Sequence, residues 1–128
     1  TPWPRQSVVP FNSAYKWSAA TFAEGSFVVG APEFVAGARY AELAAQVEPL
    51  LEKGSRVLLL ARCDAEPDPK VGLDADKLEF VALLPVANRI RPEAPETFRY
   101  FAEQGVAVKV ISGDNPVAVS EVARQAGI

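Results

Sequence analysis

The stretch that most constrains the fold lies near the end of the chain, where residues 106–111 read Val-Ala-Val-Lys-Val-Ile. This β-branched run is typical of a buried strand. A Ser-Gly-Asp turn follows it, and Asn115 with Pro116 then forms a helix start, because Asn accepts from free backbone amides and Pro has no N–H to lose. Apolar residues recur at helical spacing as far as Gly127. The sequence therefore predicts a strand, a polar turn and a helix in succession.

The polar turn is a candidate anion site. In open α/β sheets, ligands bind at the carboxyl ends of the strands, and the free amides of a helix start attract phosphate. Asp114 in this turn would face a phosphate, or a phosphate together with its metal. A structural alternative stays open, because Asp and Asn also form local turns that only cap a helix.

The rest of the chain divides at Pro85. Before it, strand and helix signals alternate irregularly, and Pro49 is expected to kink or split a helix. The predicted elements are a hairpin at 17–29, a helix at 38–53, and strands at 56–62 and 78–84. After Pro85, a helix, the 106–111 strand and the final helix follow with short connections. We therefore expect a mixed α/β (α+β) class, with an antiparallel-sheet domain at 1–84 and a partial doubly wound βαβα unit at 85–128.

Composition excludes several classes of function. The formal net charge is −3 and no Lys/Arg run occurs, so neither nucleic acid nor an anionic membrane surface is an expected partner. The chain has no His, which excludes imidazole acid–base chemistry and His metal sites. Its single cysteine, Cys63, cannot form an internal disulfide and is assigned to structure. A start at Thr1 rather than Met is typical of a segment of a longer protein.

Five short motifs follow one another: Phe-Asn-Ser at 11–13 with Lys16, Gly-Ala-Pro-Glu at 30–33, Gly-Ser-Arg at 54–56, Asn-Arg-Ile-Arg-Pro-Glu at 88–93, and Ser-Gly-Asp-Asn-Pro at 112–116. In this order they resemble the cytoplasmic headpiece of P-type cation-transporting ATPases, over nearly the whole chain. The resemblance implies part of the nucleotide-binding domain at 1–84 and the start of the phosphorylation domain, with its haloacid-dehalogenase-like (HAD-like) fold, at 85–128. The last motif is most similar to bacterial transporters of calcium or a similar divalent cation.

The resemblance implies an adenosine site in the first of these domains. Phe11 would stack on adenine, with Lys16 nearby, and Gly30 would allow close approach of the backbone to the nucleotide. The structural alternatives are a core Phe at a strand edge, a solvated Lys and a turn glycine before a helix.

The resemblance also implies a phosphate site. Arg56 would neutralise phosphate charge, and Ser112 and Gly113 belong to the loop that meets ATP and Mg²⁺. Asp114 would be an auxiliary catalytic residue that positions the γ-phosphate and the metal. No residue of this chain is assigned as a metal ligand in its own right.

Several departures from the family limit what the chain can do. Val29 stands where the family usually has Lys, Asn88 replaces the hinge Asp, and Ser112 replaces Thr. The sequence lacks Asp-Lys-Thr-Gly, which carries the phosphorylated Asp, and Gly-Asp-Gly-x-Asn-Asp, which helps hold Mg²⁺. The resemblance thus implies that ATP and Mg²⁺ act in an intact parent. That parent would lie in the cell membrane with this segment on its cytoplasmic side, the remainder of the polypeptide would be a partner, and the segment alone would be inactive.

Two other classes of function stay open. A free-standing HAD-like phosphatase would need a nucleophilic Asp after an N-terminal strand, and residues 1–9 contain none. A non-catalytic interaction module would show no response to nucleotide around Phe11 and Arg56. An unpaired sheet edge could in addition support a dimer.

Overall fold

The computed structural model describes residues 3–128, which form one five-stranded sheet, four α-helices and two single-turn 3₁₀ helices, at Gly37–Arg39 and Ala75–Lys77. In chain order the main elements are β1 (Ser7–Asn12), β2 (Trp17–Phe22), β3 (Gly25–Gly30), α1 (Pro32–Ala36), α2 (Ala41–Glu52), β4 (Arg56–Cys63), β5 (Glu79–Val86), α3 (Ala94–Glu103) and α4 (Pro116–Gln125). Thr1 and Pro2, at the start of the predicted 1–84 domain, lie outside the described residues.

The sheet follows the order of the chain, β1-β2-β3-β4-β5, and the predicted antiparallel class is confirmed. The hairpin of β2 and β3 places Trp17 opposite Gly30. The next pair, β3 and β4, places Val28 opposite Ala61. Because side chains alternate between the two faces of a strand, these registers put the buried residues of the central strands on one face.

The chain forms two compact units. The first comprises the described residues up to 47 together with 57–84, and the second comprises 48–56 and 85–128. Arg56 therefore falls in the second unit, with the polar turn near the end of the chain, although it precedes Pro85 in sequence.

The core of the first unit lies on the buried face of the sheet. Val28 and Leu59 on that face are 0% and 1% exposed. Val35 of α1 and Val47 of α2 are 1% and 0% exposed. Burying a side chain of this size contributes about 1.5–3 kcal/mol, so these positions dominate the stability of the unit.

The strand predicted over residues 106–111 is not formed. These residues lie outside the sheet, and Val106 and Ile111 are 50% and 96% exposed. A β-branched run becomes a strand only when a neighbouring strand takes up its backbone hydrogen bonds. No strand within residues 3–128 pairs with residues 106–111, so the strand that their β-branched side chains favour does not form.

Two smaller features of the first 60 residues also differ from what the sequence indicates. The sequence does not predict β1, because Pro10 lies inside it; the strand forms at the edge of the sheet, where a residue without an N–H is tolerated, and its register shifts between Val9 and Asn12. Of the two expectations at Pro49, the split into two short helices is wrong, because α2 continues past the proline as a single helix, and the kink stays a prediction. Among the helices of residues 3–128, none is long and apolar enough to cross a bilayer.

Candidate functional site

The second unit joins two of the predicted site residues directly. Nε of Arg56 donates to Oδ2 of Asp114 at 3.1 Å, and Nη2 of Arg56 contacts the same oxygen. The two residues are 58 positions apart in sequence. Their side chains are 56% and 44% exposed, so the ion pair faces solvent.

The turn that carries Asp114 is held by short-range hydrogen bonds. The backbone N–H of Asp114 donates to Oγ of Ser112 at 3.1 Å, and the backbone N–H of Val117 donates to Oδ1 of Asn115 at 2.9 Å. The predicted helix cap at Asn115 is thus confirmed, with Pro116 at the first helical position. This cap fixes the turn at the positive end of the α4 dipole, where negative charge is favoured.

The ion pair lies at the polar side of a cleft within the second unit. The cleft has a volume of about 320 Å³. Its polar lining comes from Arg56, Asn88, Ser112 and Asp114. Its apolar lining comes mainly from α4, together with Phe98 of α3. A cleft lined by an ion pair and by apolar side chains can hold a ligand whose anionic group meets the guanidinium.

Two glycines of the second unit differ in their surroundings. Gly54 has a φ of +81°, and a Cβ there would lie 3.3 Å from side-chain atoms of Glu121 and Val122. A Cβ at Gly113 would meet no atom within 4 Å. Gly54 is therefore required by backbone conformation and packing, whereas the space beside Gly113 is open to a ligand.

Phe11 and Lys16, both in the first unit, border the β1–β2 connection. Phe11 is 64% exposed, so its ring is not part of the core. Lys16 has a φ of +59°, which is uncommon for a residue with a side chain. Its backbone N–H donates to the carbonyl of Asn12 at 2.7 Å, and its own carbonyl accepts from Ala31 at 3.1 Å. These bonds hold Lys16 in a strained conformation, which is a feature found at functional sites.

Gly30 has a packing role in the first unit. A Cβ at this position would lie 2.5 Å from the carbonyl oxygen of Lys16 and 2.5 Å from Cβ of Trp17. The absence of a side chain at Gly30 is what lets β2 and β3 approach at this point. Phe11, Lys16 and Gly30 lie in the first unit, and Arg56, Ser112, Gly113 and Asp114 lie in the second.

Some contacts in the first unit could not be predicted from the sequence. Nζ of Lys16 lies 5.9 Å from the centroid of the Phe34 ring, a cation–π contact between residues of two different elements. Arg39 donates to the carbonyls of Ala75 and Leu78, at 2.6 and 2.9 Å, and its guanidinium lies over the ring of Phe80. Neither Phe34 nor Arg39 belongs to one of the five motifs, and only the folded chain brings these groups together.

One carboxylate of the second unit has a strongly perturbed pKa. Hydrogen bonds from Arg124 and Gln125 lower the pKa of Glu121 to about 2. The bonds from Nη2 of Arg124 and Nε2 of Gln125 are 2.7 and 2.9 Å long. Glu121 therefore stays ionised at neutral pH and stabilises α4 through pairs within one helical turn.

The polar turn offers oxygen ligands of the kind that Mg²⁺ prefers. Mg²⁺ is usually held by one or two carboxylates together with substrate phosphates and water. Asp114 supplies one carboxylate and Ser112 a hydroxyl. No cluster of three or more acidic, Cys or His side chains suited to a metal ion occurs in residues 3–128. The residues present thus fit a metal that arrives with a phosphate, and not one held by this chain alone.

Comparison with known proteins assigns the chain to a family. A family model described as a haloacid dehalogenase-like hydrolase matches residues 5–128. The chain therefore belongs to the haloacid dehalogenase-like hydrolase family. Its similarity to P-type cation-transporting ATPases, predicted from the five motifs, is confirmed by the curated relatives.

Three relatives illustrate the range of similarity. The calcium-transporting ATPase CtpE of Mycolicibacterium smegmatis is 41% identical over 128 residues, which cover 98% of this chain and 16% of CtpE. The probable cation-transporting ATPase exp7 of Streptococcus pneumoniae is 38% identical over 126 residues, covering 98% of this chain and 16% of that protein. The plasma membrane calcium-transporting ATPase 1 of Homo sapiens is 28% identical over 88 residues, covering 64% and 7%. The chain spans about a sixth of the length of CtpE and exp7.

Proposed function

We propose that this chain is the ATP-binding segment of a P-type cation-transporting ATPase. Residues 1–84 would belong to its nucleotide-binding domain and residues 85–128 to its phosphorylation domain. The observation that carries the proposal is the exposed guanidinium of Arg56, which lies beside the Ser112–Asp114 turn at the polar side of a cleft. An exposed guanidinium beside a helix start is suited to binding phosphate.

The adenosine moiety would be bound by the first unit. The exposed ring of Phe11 offers a face for stacking on adenine, a contact that tolerates water at its edges. Lys16 would supply positive charge near the base, and its constrained backbone limits where the ammonium group can lie. Val29, which replaces the usual family Lys, makes this side of the site poorer in cationic contacts. Binding of ATP by this chain is therefore expected to be weak, on the order of 0.1–1 mM or looser.

The chemistry of the intact parent would depend on residues outside this sequence. The chain contains no Asp-Lys-Thr-Gly segment, so the phosphorylated Asp would come from the remainder of the polypeptide. Asp114 would then position the γ-phosphate, and Mg²⁺ would neutralise its charge. The parent would couple this reaction to the transport of calcium or a similar divalent cation across the cell membrane, with this segment on the cytoplasmic side.

A dimer through a sheet edge stays a prediction. The two edge strands, β1 and β5, contain Pro10 and Pro85, respectively. Proline interrupts the row of backbone donors that a second strand would need. An edge-to-edge dimer would therefore use only part of either strand.

The proposal is tested by titrating the chain with adenosine and with inorganic tripolyphosphate as separate probes, followed by NMR. Phe11→Ala is expected to weaken adenosine binding about fivefold, as loss of about 1 kcal/mol of stacking would do, and to leave tripolyphosphate binding unchanged. Arg56→Gln is expected to weaken tripolyphosphate binding about tenfold and to leave adenosine binding unchanged, because hydrogen bonds to charged groups are the stronger ones.

A matched control separates stacking from the general loss of an exposed ring. Tyr100 is 57% exposed, similar to Phe11, and lies on α3 without lining the cleft. Tyr100→Ala is expected to leave both probes unaffected. Equal weakening of adenosine binding by Phe11→Ala and Tyr100→Ala, or no saturable binding of either probe to the folded chain, would contradict the proposed function.

A further inference from the structure

An aromatic side chain outside the five motifs lies beside the cation of the proposed adenosine site. Nζ of Lys16 lies 5.9 Å from the centroid of the Phe34 ring. An ammonium group within about 6 Å of an aromatic centroid is attracted by the negative face of the ring. Phe34 is 50% exposed, whereas the next two residues of α1, Val35 and Ala36, are 1% and 0% exposed. The Phe34 ring is thus a surface group and not part of the core of the first unit.

The backbone at the start of α1 brings Lys16 and Phe34 together. The N–H of Ala31 donates to the carbonyl of Lys16 at 3.1 Å, and the N–H of Phe34 donates to the carbonyl of Ala31 at 3.0 Å. Gly30 makes this approach possible, because a Cβ there would lie 2.5 Å from the Lys16 carbonyl oxygen. Two consecutive hydrogen bonds therefore link the backbone of Lys16 to that of Phe34, so the fold sets the relative placement of the two side chains.

An aromatic ring can restrict an ammonium group without neutralising it. Within residues 3–128, Lys16 forms no ion pair with a carboxylate. A carboxylate would cancel the charge of Lys16, whereas a ring attracts the cation and leaves the N–H groups on its far side free for a ligand. Because a lysine side chain has many rotamers, holding it in place before binding removes part of the entropic cost of binding.

The position of Lys16 matters because the proposed adenosine site has few cations. Among the three residues assigned to it, Phe11, Lys16 and Gly30, only Lys16 carries a charge. Val29 stands where the family usually has a second Lys. A contact that fixes the Lys16 ammonium therefore acts on the charge that this side of the site retains.

From these contacts we propose that Phe34 is a positioning residue of the adenosine site, whose ring holds the Lys16 ammonium where it can meet the base. The inference rests on the proposed function in one respect, namely that Lys16 contacts the adenosine moiety. Phe34 acts through Lys16 and does not itself touch the ligand.

The test compares binding of adenosine to the whole chain, measured by NMR, in the native form and in two variants of Phe34. Phe34→Leu keeps an apolar side chain but has no ring face, and Phe34→Tyr keeps the ring face. Phe34→Leu is expected to weaken adenosine binding about 2- to 5-fold, the factor to which an exposed cation–π contact corresponds. Phe34→Tyr is expected to keep the native affinity.

The chemical shifts of the Lys16 side chain provide a readout that a merely structural role would not move. Protons above the face of an aromatic ring are shifted upfield. Without ligand, the ε-methylene protons of Lys16 are therefore expected upfield of those of the exposed Lys70. Phe34→Leu is expected to remove this difference and Phe34→Tyr to retain it, while the amide of Val28 in the core stays unchanged in both variants.

Two controls identify the cause. Phe101→Leu makes the same substitution at a phenylalanine that is 40% exposed, on α3 of the second unit, and is expected to leave adenosine binding unaffected. In a Lys16→Met background, Phe34→Leu is expected to have no further effect on adenosine binding, because no ammonium group remains to be positioned.

The outcomes separate this inference from the proposed function. If Lys16→Met weakens adenosine binding but Phe34→Leu behaves like Phe101→Leu, the positioning inference is overturned and the adenosine site stands. Equal weakening by Phe34→Leu and Phe34→Tyr, or an effect of Phe34→Leu that persists in the Lys16→Met background, also overturns it.

A direct test of Lys16 completes the separation. If Lys16→Met leaves adenosine binding unchanged, the inference fails, and Phe11→Ala then shows whether the adenosine site itself stands. Weakening by Phe34→Leu that is absent in Phe34→Tyr and in the Lys16→Met background, together with loss of the upfield shift of Lys16, supports the inference.

Discussion

The two units of this chain differ in how far they bury their apolar residues. In the first unit, Val28, Val35 and Leu59 are at most 1% exposed. In the second, α3 has no buried residue, and Ile111 is 96% exposed. The first unit therefore contains large apolar side chains that are almost fully buried, whereas those of α3 and residue 111 in the second unit stay at least partly exposed.

An apolar sequence pattern does not by itself produce a buried core. The second unit has the residues of a doubly wound layer, two helices and a β-branched run, but the run has no strand beside it in residues 3–128. A sheet of this kind is normally buried on both faces, so its helices cannot cover their apolar sides without it.

The largest expected effect contrasts one core position in each unit. Leu59→Ala, at a position 1% exposed, is expected to lower the free energy of unfolding by about 2–5 kcal/mol, because it opens a cavity in the closed core. Ile111→Ala, at a position 96% exposed, is expected to change it by less than about 0.5 kcal/mol. Denaturant unfolding measures both variants. A loss at Ile111 as large as that at Leu59 would mean that the second unit has a closed core in solution.

A second contrast uses the two glycines of the proposed site. Gly30→Ala is expected to cost about 1–3 kcal/mol, because its Cβ would lie 2.5 Å from a backbone oxygen. Gly113→Ala is expected to leave the unfolding free energy nearly unchanged, since no atom lies within 4 Å of the added Cβ. It is expected instead to weaken tripolyphosphate binding by occupying the open space. A stable Gly30→Ala variant would contradict the packing role given to Gly30.

The smallest expected effect concerns pH. The folded pKa of Glu121, in the second unit, is lowered to about 2 by hydrogen bonds from Arg124 and Gln125. Its contribution to stability is therefore fully present above the ordinary carboxyl pKa of about 4.3 and is lost as the pH falls towards 2. Burial, reinforced by the charge of Asp64, raises the pKa of Cys63 in the first unit, so its contribution is present at neutral pH and is lost in alkali.

Unfolding curves recorded across the pH range check this contrast. Glu121→Gln is expected to reduce the change in unfolding free energy at acid pH. Cys63→Ala is expected to reduce the change at alkaline pH. An acid limb that is identical in the native chain and in Glu121→Gln would contradict the assignment of that limb to Glu121.

The sequence predicts those elements whose formation depends on residues that are close together in the chain. The β2–β3 hairpin, the strands β4 and β5, and the capped start of α4 at Asn115 follow from periodicity and capping chemistry. The strand at residues 106–111 could not be settled in this way, because its hydrogen bonds depend on a partner strand. The edge strand β1 could not be predicted because it contains Pro10, and a proline is tolerated in a strand only at the edge of a sheet.

In the candidate site, too, local features could be predicted from the sequence and long-range contacts could not. The resemblance picked out both Arg56 and Asp114, but no pattern in the sequence indicates that residues 58 positions apart form an ion pair. The positive φ of Lys16 could not be predicted from its residue type either, because it results from hydrogen bonds with Asn12 and Ala31. The identities of candidate residues can thus be predicted from motifs, whereas their contacts require the fold.

An NMR titration with ATP and Mg²⁺, in which backbone amide shifts are mapped, shows whether this chain binds ATP through adenosine and phosphate contacts as we propose. We expect saturable shifts around Phe11 and Lys16 and around Arg56 and residues 112–114, with few shifts elsewhere. Shifts absent from both groups, or scattered evenly over the surface, would contradict it.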